Sequence, residues 1–177
     1  MIDKPIPESY WVLPDRFLAG AYPGLHYLEF STSQRLTDFL TAGFDTFIDL
    51  TYENERPPYF PLLSEEAAYE GREIRHRRFP FPDFNVPTRE IMVAALDAID
   101  TAIAEGHKVY LHCVGGIGRT GTTVGCYLVR HGMRPEAALL HLGELYSASA
   151  QSLIYPQSPE AGEQIRFILN WQEHGLA

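Results

Sequence analysis

The stretch that most constrains this chain is "KVYLHCVGGIGRTGTTVG" at 108–125. It opens as a short apolar run, the pattern of a mostly buried strand, and leads into a segment with helical patterning from about residue 119. Between the two, Val114, Gly115, Gly116, Ile117 and Gly118 must curl the chain around one point. Glycines there let the backbone adopt positive φ and turn its N–H groups inward. Inward amides at a helix N-terminus form an anion nest of the size of a phosphoryl group.

The remaining elements read as an α/β fold: a central mixed, mostly parallel sheet flanked by helices, with the glycine loop between a strand and a helix. "YWVLPDRFLAGAYPG" predicts two short strands broken at Pro14–Asp15. A helix follows over 32–42, a strand over 44–50, a proline-rich turn over 52–62, and a helix over 63–71. "EIRHRRF" at 73–79 is a strand, and "PFPDFNVPT" at 80–88 a loop. Thr88 caps a helix over 89–105 whose apolar stripe is Ile91, Ala95, Ile99 and Ile103. Three helices come after the glycine loop, near 119–131, 135–146 and 160–174. No repeat or linker divides the chain, so 1–177 reads as a single domain.

A formal net charge of −9 argues against nucleic acid as a partner, because that binding draws on clustered lysine and arginine. It does not exclude a small anionic substrate, since a pocket can be locally positive. The one basic cluster, "GREIRHRRF" at 71–79, has two readings: a solvated strand edge, or a rim that attracts phosphorylated substrates. No apolar run is long enough to span a bilayer, and the first residues lack a secretory pattern, so a cytoplasmic location is expected. Cys113 and Cys126 are too few for a disulfide framework, and Cys126 reads as a small core residue.

Three chemistries compete for the glycine loop. Gly116-Ile117-Gly118-Arg119-Thr120-Gly121 matches G-x-G-x-x-G, but a dinucleotide fold needs a second strand after the helix. Glu136 stands near the right distance for the ribose acid, yet it lies in a helix-patterned stretch. A P-loop NTPase needs a lysine followed by serine or threonine, and no lysine occurs between 109 and 177. The third reading starts from Cys113 and Arg119. The amides of 114–118 would cradle a phosphoryl group while Arg119 forks two of its oxygens. The same field would favour the Cys113 thiolate as nucleophile. His112 can fix the loop by hydrogen bonds to neighbouring backbone, and Thr120 can donate to the thiolate.

"HCVGGIGRT" resembles the H-C-x5-R-[ST] signature of the cysteine-dependent protein tyrosine phosphatases, here their dual-specificity branch and its subgroup similar to cyclin-dependent-kinase-associated phosphatases. The resemblance runs more weakly from "WVLPDRFLAG" to "SPEAGEQIRFI". It implies a phosphomonoester hydrolase with a cysteinyl-phosphate intermediate and neither metal nor cofactor. It also implies an aspartate about 30 residues before the cysteine as acid and base; Asp83 stands there, between Phe81 and Phe84, which could anchor its loop over the pocket. Asp49 at a strand end is the rival, while Asp97 and Asp100 look solvated on a helix. Gln164 is the candidate for orienting water, its alternative being a surface helix glutamine.

The x5 loop carries no lysine or arginine, which favours a phosphotyrosyl or dual-specificity protein substrate and inhibition by phosphate-mimicking oxyanions. Arginines at 72–78 keep phosphoinositides or another small phosphoester open, and a catalytically weak phosphate-binding regulator is the reading from another class.

Overall fold

The computed structural model describes residues 3–24 and 29–173, without the side chains of 29–32. Strands β1 (Ser9–Leu13) and β2 (Phe17–Gly20) are followed by helix α1 (Glu29–Thr41), β3 (Thr46–Asp49), α2 (Phe60–Tyr69) and β4 (Arg75–Arg78). Then come α3 (Arg89–Ala104), β5 (Val109–His112), α4 (Gly118–Arg130), α5 (Pro135–Tyr146), a 3₁₀ turn (Ala150–Leu153) and α6 (Gly162–Leu169). The five strands form one sheet in the order β1-β2-β5-β3-β4. Only the β1–β2 pair is antiparallel, so the sheet is mixed and mostly parallel, as the sequence implies.

Burial explains the order. Every residue of β3 and of β5 is buried, as suits parallel strands covered by helices on both faces. In β4, Arg75 and Arg77 are exposed while His76 and Arg78 are half-buried, which suits only an edge. On one face α1 and α2 close over Phe39, Phe44, Phe47, Leu63 and Tyr110; on the other, α3 to α6 close over Ile48, Leu96, Ile99, Leu111, Val124 and Ile168.

Register then places the site. Gly20 and Asp49 both pair with His112, so the carboxyl ends of three adjacent parallel strands come level with one another. In sheets of this kind that edge is where ligands bind.

Three expectations need correction. α2 starts at Phe60 rather than residue 63, because Pro61 fits the first helical turn, where a missing N–H costs nothing. The buried face of α3 is Met92, Ala95, Leu96, Ala98, Ile99 and Ala102; Ile91 and Ile103 sit at its margin, half-buried. The Thr88 cap is as expected, its hydroxyl accepting from Ile91 N at 3.3 Å. The last helix is Gly162–Leu169, much shorter than 160–174. No helix among the described residues is long and apolar enough to cross a membrane.

Candidate active site

Cys113 follows β5 directly, and its side chain lies at the bottom of the loop, 3% exposed. Gly116 N donates to Cys113 Sγ at 3.3 Å. That geometry requires glycine: Gly116 has φ +74°, and a Cβ there would stand 2.3 Å from Gly20 C and 2.5 Å from Ala21 N. The loop is thus pressed against the end of β2, and Tyr22 N donates to Val114 O at 2.9 Å to hold it. Ile117 caps α4 without a side-chain hydrogen bond, and the helix opens at Gly118, so the positive end of α4 lies at this loop.

Arg119 is fully buried, an unusual place for a guanidinium. Its fork grips Glu55, Nη1 donating to Oε2 at 2.9 Å and Nη2 to Oε1 at 2.5 Å. Nη1 also donates to Leu50 O at 3.4 Å and Phe81 O at 3.3 Å. Nε stands 3.3 Å from Asp83 Oδ1, an ion-pair distance without hydrogen-bond alignment. Burial works against the Arg119 charge, but the Glu55 hydrogen bonds and the neighbouring Cys113 and Asp83 outweigh it and raise its pKa. Those hydrogen bonds in turn hold the Glu55 carboxyl below its ordinary value, against its partial burial.

His112 is buried beneath the loop. Its Nδ1 lies 3.1 Å from Cys113 O and its Nε2 2.7 Å from the Tyr59 hydroxyl. Burial lowers the His112 pKa, with Asp49 pulling the other way. A neutral ring with its proton on Nδ1, donating to Cys113 O and accepting from Tyr59, satisfies both contacts. Asp49 belongs to this support and not to the mouth of the site. It is fully buried and accepts from Thr51 N and Oγ1, from Arg78 at 3.1 Å, and faces His76 at 3.2 Å. Burial opposes its charge, yet His112, His76 and Thr51 hold the carboxyl well below the usual range.

The basic cluster divides by strand alternation. Arg75 pairs with Glu105 and Arg77 lies over the Phe79 ring, both at the exposed edge. His76 and Arg78 turn inward to Asp49 and, with Glu55 and Arg56, line a cavity of about 590 Å³.

Several sequence expectations change here. Thr120 Oγ1 donates to Gly20 O at 3.4 Å rather than to the thiol, because the start of α4 packs on the end of β2. Phe81 is buried and anchors the acid loop, but Phe84 is 62% exposed with φ +56° and anchors nothing. Gln164 is fully buried rather than on the surface: its Oε1 accepts from Ala161 N at 3.2 Å and its Nε2 donates to Asn85 O at 3.1 Å, tying α6 to the acid loop. Asp97 is exposed, as expected, and pairs with Arg130 at 2.8 Å, whereas Asp100 is half-buried and pairs with the same guanidinium at 3.0 Å. Cys113 and Cys126 are both free thiols, and burial pushes Cys126 up.

Glu55, Tyr59 and Glu160 are the residues that sequence reasoning passed over. Glu160 packs against the first turn of α4: a Cβ on Gly118 would stand 2.7 Å from Glu160 Oε1 and 3.0 Å from either end of the Gln164 amide. Partial burial, then the nearby Asp83, raises the Glu160 pKa, with Arg119 opposing. Two carboxyls therefore flank the loop, Asp83 ion-paired with Arg119 and Glu160 with its pKa raised. Among the described residues no cluster of His, Cys, Asp and Glu is arranged to hold a metal ion.

The chain is similar to several known proteins. The dual specificity protein phosphatase CDC14B of Mus musculus is 29% identical over 182 residues, covering 93% of this chain and 34% of its own length. In Arabidopsis thaliana, a protein named phosphatidylinositol 3,4,5-trisphosphate 3-phosphatase and protein-tyrosine-phosphatase PTEN1 is 36% identical over 103 residues, 57% of this chain and 24% of its own. The chain spans 34% of the length of mouse CDC14B and 37% of that of human CDC14C. The crystal structure of Tk-PTP in its active form shares the fold, with a TM-score of 0.70 and 24% identity over 92% of this chain and 94% of that one. The family described as "Polymorphic toxin system, DSP-PTPase phosphatase" matches residues 34–133, more than half of the sequence, and this chain belongs to it.

Proposed function

We propose that this protein hydrolyses phosphate monoesters in two steps through Cys113, acting on phosphorylated polypeptides. The observation that carries this is a buried thiol accepting from a loop amide, near a fully buried guanidinium that meets both Glu55 and Asp83. In the first step Cys113 Sγ forms a bond to phosphorus as the ester P–O bond breaks, and Asp83 gives a proton to the leaving oxygen. The amides of Val114, Gly115, Gly116, Ile117 and Gly118, with Arg119, stabilise the equatorial oxygens. In the second step water attacks phosphorus, its proton passes to Asp83, and the S–P bond breaks to return the thiolate. Arg119 meets phosphate by reorganising its Asp83 contact while Glu55 keeps the fork in plane.

His112 acts as a positioning residue through Cys113 O, and Thr120 by seating α4 on β2. Gln164 is assigned to the hydrolytic water because its amide lies against Gly118, with one N–H left after the bond to Asn85 O. We read the whole chain as one catalytic unit. The two free thiols suit a reducing compartment such as the cytoplasm.

Phosphotyrosine is the favoured substrate group, since the loop from 114 to 118 adds no cation for further phosphates. Phosphoinositides are the second reading, favoured by the similarity to PTEN1 and by Arg56 and Arg78 at the cavity beside Glu55. Turnover of phosphotyrosine peptides and of soluble phosphoinositides, each with a chelator present, tests the proposal. It expects faster peptide hydrolysis, competitively blocked by vanadate. Binding without turnover would leave only a phosphate-binding module.

A further inference from the structure

Residues 151–158 strap the phosphate loop at both ends. Gln151 Nε2 donates to Gly115 O at 3.3 Å, and Ser158 Oγ donates to Ile117 O at 2.7 Å. The turn inside the strap is itself held firmly. Ile154 N and Tyr155 N donate to Gln151 O at 3.1 and 2.8 Å, Ser152 Oγ donates to Ser149 O at 2.7 Å, and the Tyr146 hydroxyl donates to Tyr155 O at 2.9 Å. Fixing a backbone residue costs on the order of 1–2 kcal/mol, so a turn this ordered ordinarily buries its large side chains in return.

This one does the opposite. Leu153 is 87% exposed, Ile154 71% and Tyr155 51%. Three successive large apolar side chains displayed on a rigid turn mark a contact surface more than a fold requirement. Their place says what they contact: the strap that displays them is tied to Gly115 and Ile117 of the phosphate loop, so the display lies beside the loop that receives the phosphate.

Charge narrows the partner further. Between 145 and 159 the chain carries no charged side chain, so the turn offers no cation to an anionic bilayer or an acidic peptide flank, and the whole chain stands at −9. We infer that Leu153, Ile154 and Tyr155 form a docking ledge for apolar residues beside the phosphorylated residue of a polypeptide substrate. The ledge rests on the phosphatase reading above and adds the flanking chemistry to it.

The test compares wild type with Leu153→Ser/Ile154→Ser on four probes: p-nitrophenyl phosphate, a phosphotyrosine peptide flanked by leucines, the same peptide flanked by glutamates, and phosphoinositide in phosphatidylcholine vesicles. Wild type is expected to prefer the leucine-flanked peptide by roughly tenfold in kcat/KM. The variant loses that preference through KM, with p-nitrophenyl phosphate turnover unchanged. An equal loss on p-nitrophenyl phosphate and peptide would make the strap a support for the loop and overturn the ledge. Unchanged peptide preference would overturn it too, and a loss confined to vesicles would hand the surface to a membrane. No hydrolysis of any probe by wild type removes the phosphatase reading, and the ledge with it.

Discussion

Arg119 and Glu55 form a two-pronged ion pair, at 2.9 and 2.5 Å, that fixes a guanidinium with no solvent exposure of its own. A planar fork held on one edge leaves its orientation settled before any phosphate arrives. Glu55→Gln should keep the fold but weaken the grip, lowering kcat/KM for p-nitrophenyl phosphate by roughly 10- to 100-fold, chiefly in kcat. Glu55→Ala strands the buried charge and should also lower the melting temperature. Activity in Glu55→Ala equal to wild type would mean that the backbone carbonyls of Leu50 and Phe81 suffice.

The Glu55 carboxyl is held below its unfolded value, so its share of stability is present above the unfolded pKa of about 4.3 and lost as pH falls through the folded value. Wild type should therefore lose melting temperature faster than Glu55→Gln as the pH is taken from 5 toward 3, which thermal melts across that window will show. Parallel curves would remove Glu55 from the acid response.

Glu160 runs the other way. Its pKa is raised, so its contribution is complete below the unfolded value near 4.3 and declines as pH rises through the folded one. Glu160→Gln should melt higher than wild type at pH 7 to 8, with the difference vanishing near pH 4. Glu160 is half-buried and its charge is partly screened by water, so the gain stays under about 1 kcal/mol. A variant destabilised at pH 8 would mean that the carboxylate makes a favourable contact there.

Asp83→Asn should cost about 10²- to 10⁴-fold on phenyl phosphate, whose leaving group needs a proton, and far less on p-nitrophenyl phosphate. A plot of rate against leaving-group pKa distinguishes the two cases. Equal losses on both substrates would point to another acid, with Glu160, which packs against Gly118, the first to substitute.

Gly116→Ala meets a backbone at 2.3 Å and a φ of +74° together. The loop cannot keep both its conformation and its contact with Gly20, so the variant should lose stability by about 1–3 kcal/mol and most of its activity. Retention of both would mean the loop can re-form elsewhere.

How far the sequence reached depended on where the information lay. Cys113, the glycines and Arg119 are legible because one short stretch must do several things at once, and Asp83 is named only through the family resemblance, which implies an aspartate about 30 residues before the cysteine. Asp49 keeps its structural part because it ends β3, beside His112, in a fully buried register. Glu55, Tyr59 and Glu160 lie in segments whose local pattern says only turn, loop or helix start; tertiary contact alone brings them to the site. Gln164 is a candidate by resemblance alone, and nothing in the pattern of α6 shows that its amide is buried against Gly118 and Asn85.

The central claim is a phosphate carried on the Cys113 sulfur. Acid-quenched wild type, mixed with p-nitrophenyl phosphate for milliseconds and digested, should yield the peptide containing Cys113 with one added phosphoryl group, and Cys113→Ser should show neither adduct nor turnover. Turnover that persists in Cys113→Ser, or a phosphoryl group mapped to any other residue, would contradict the account.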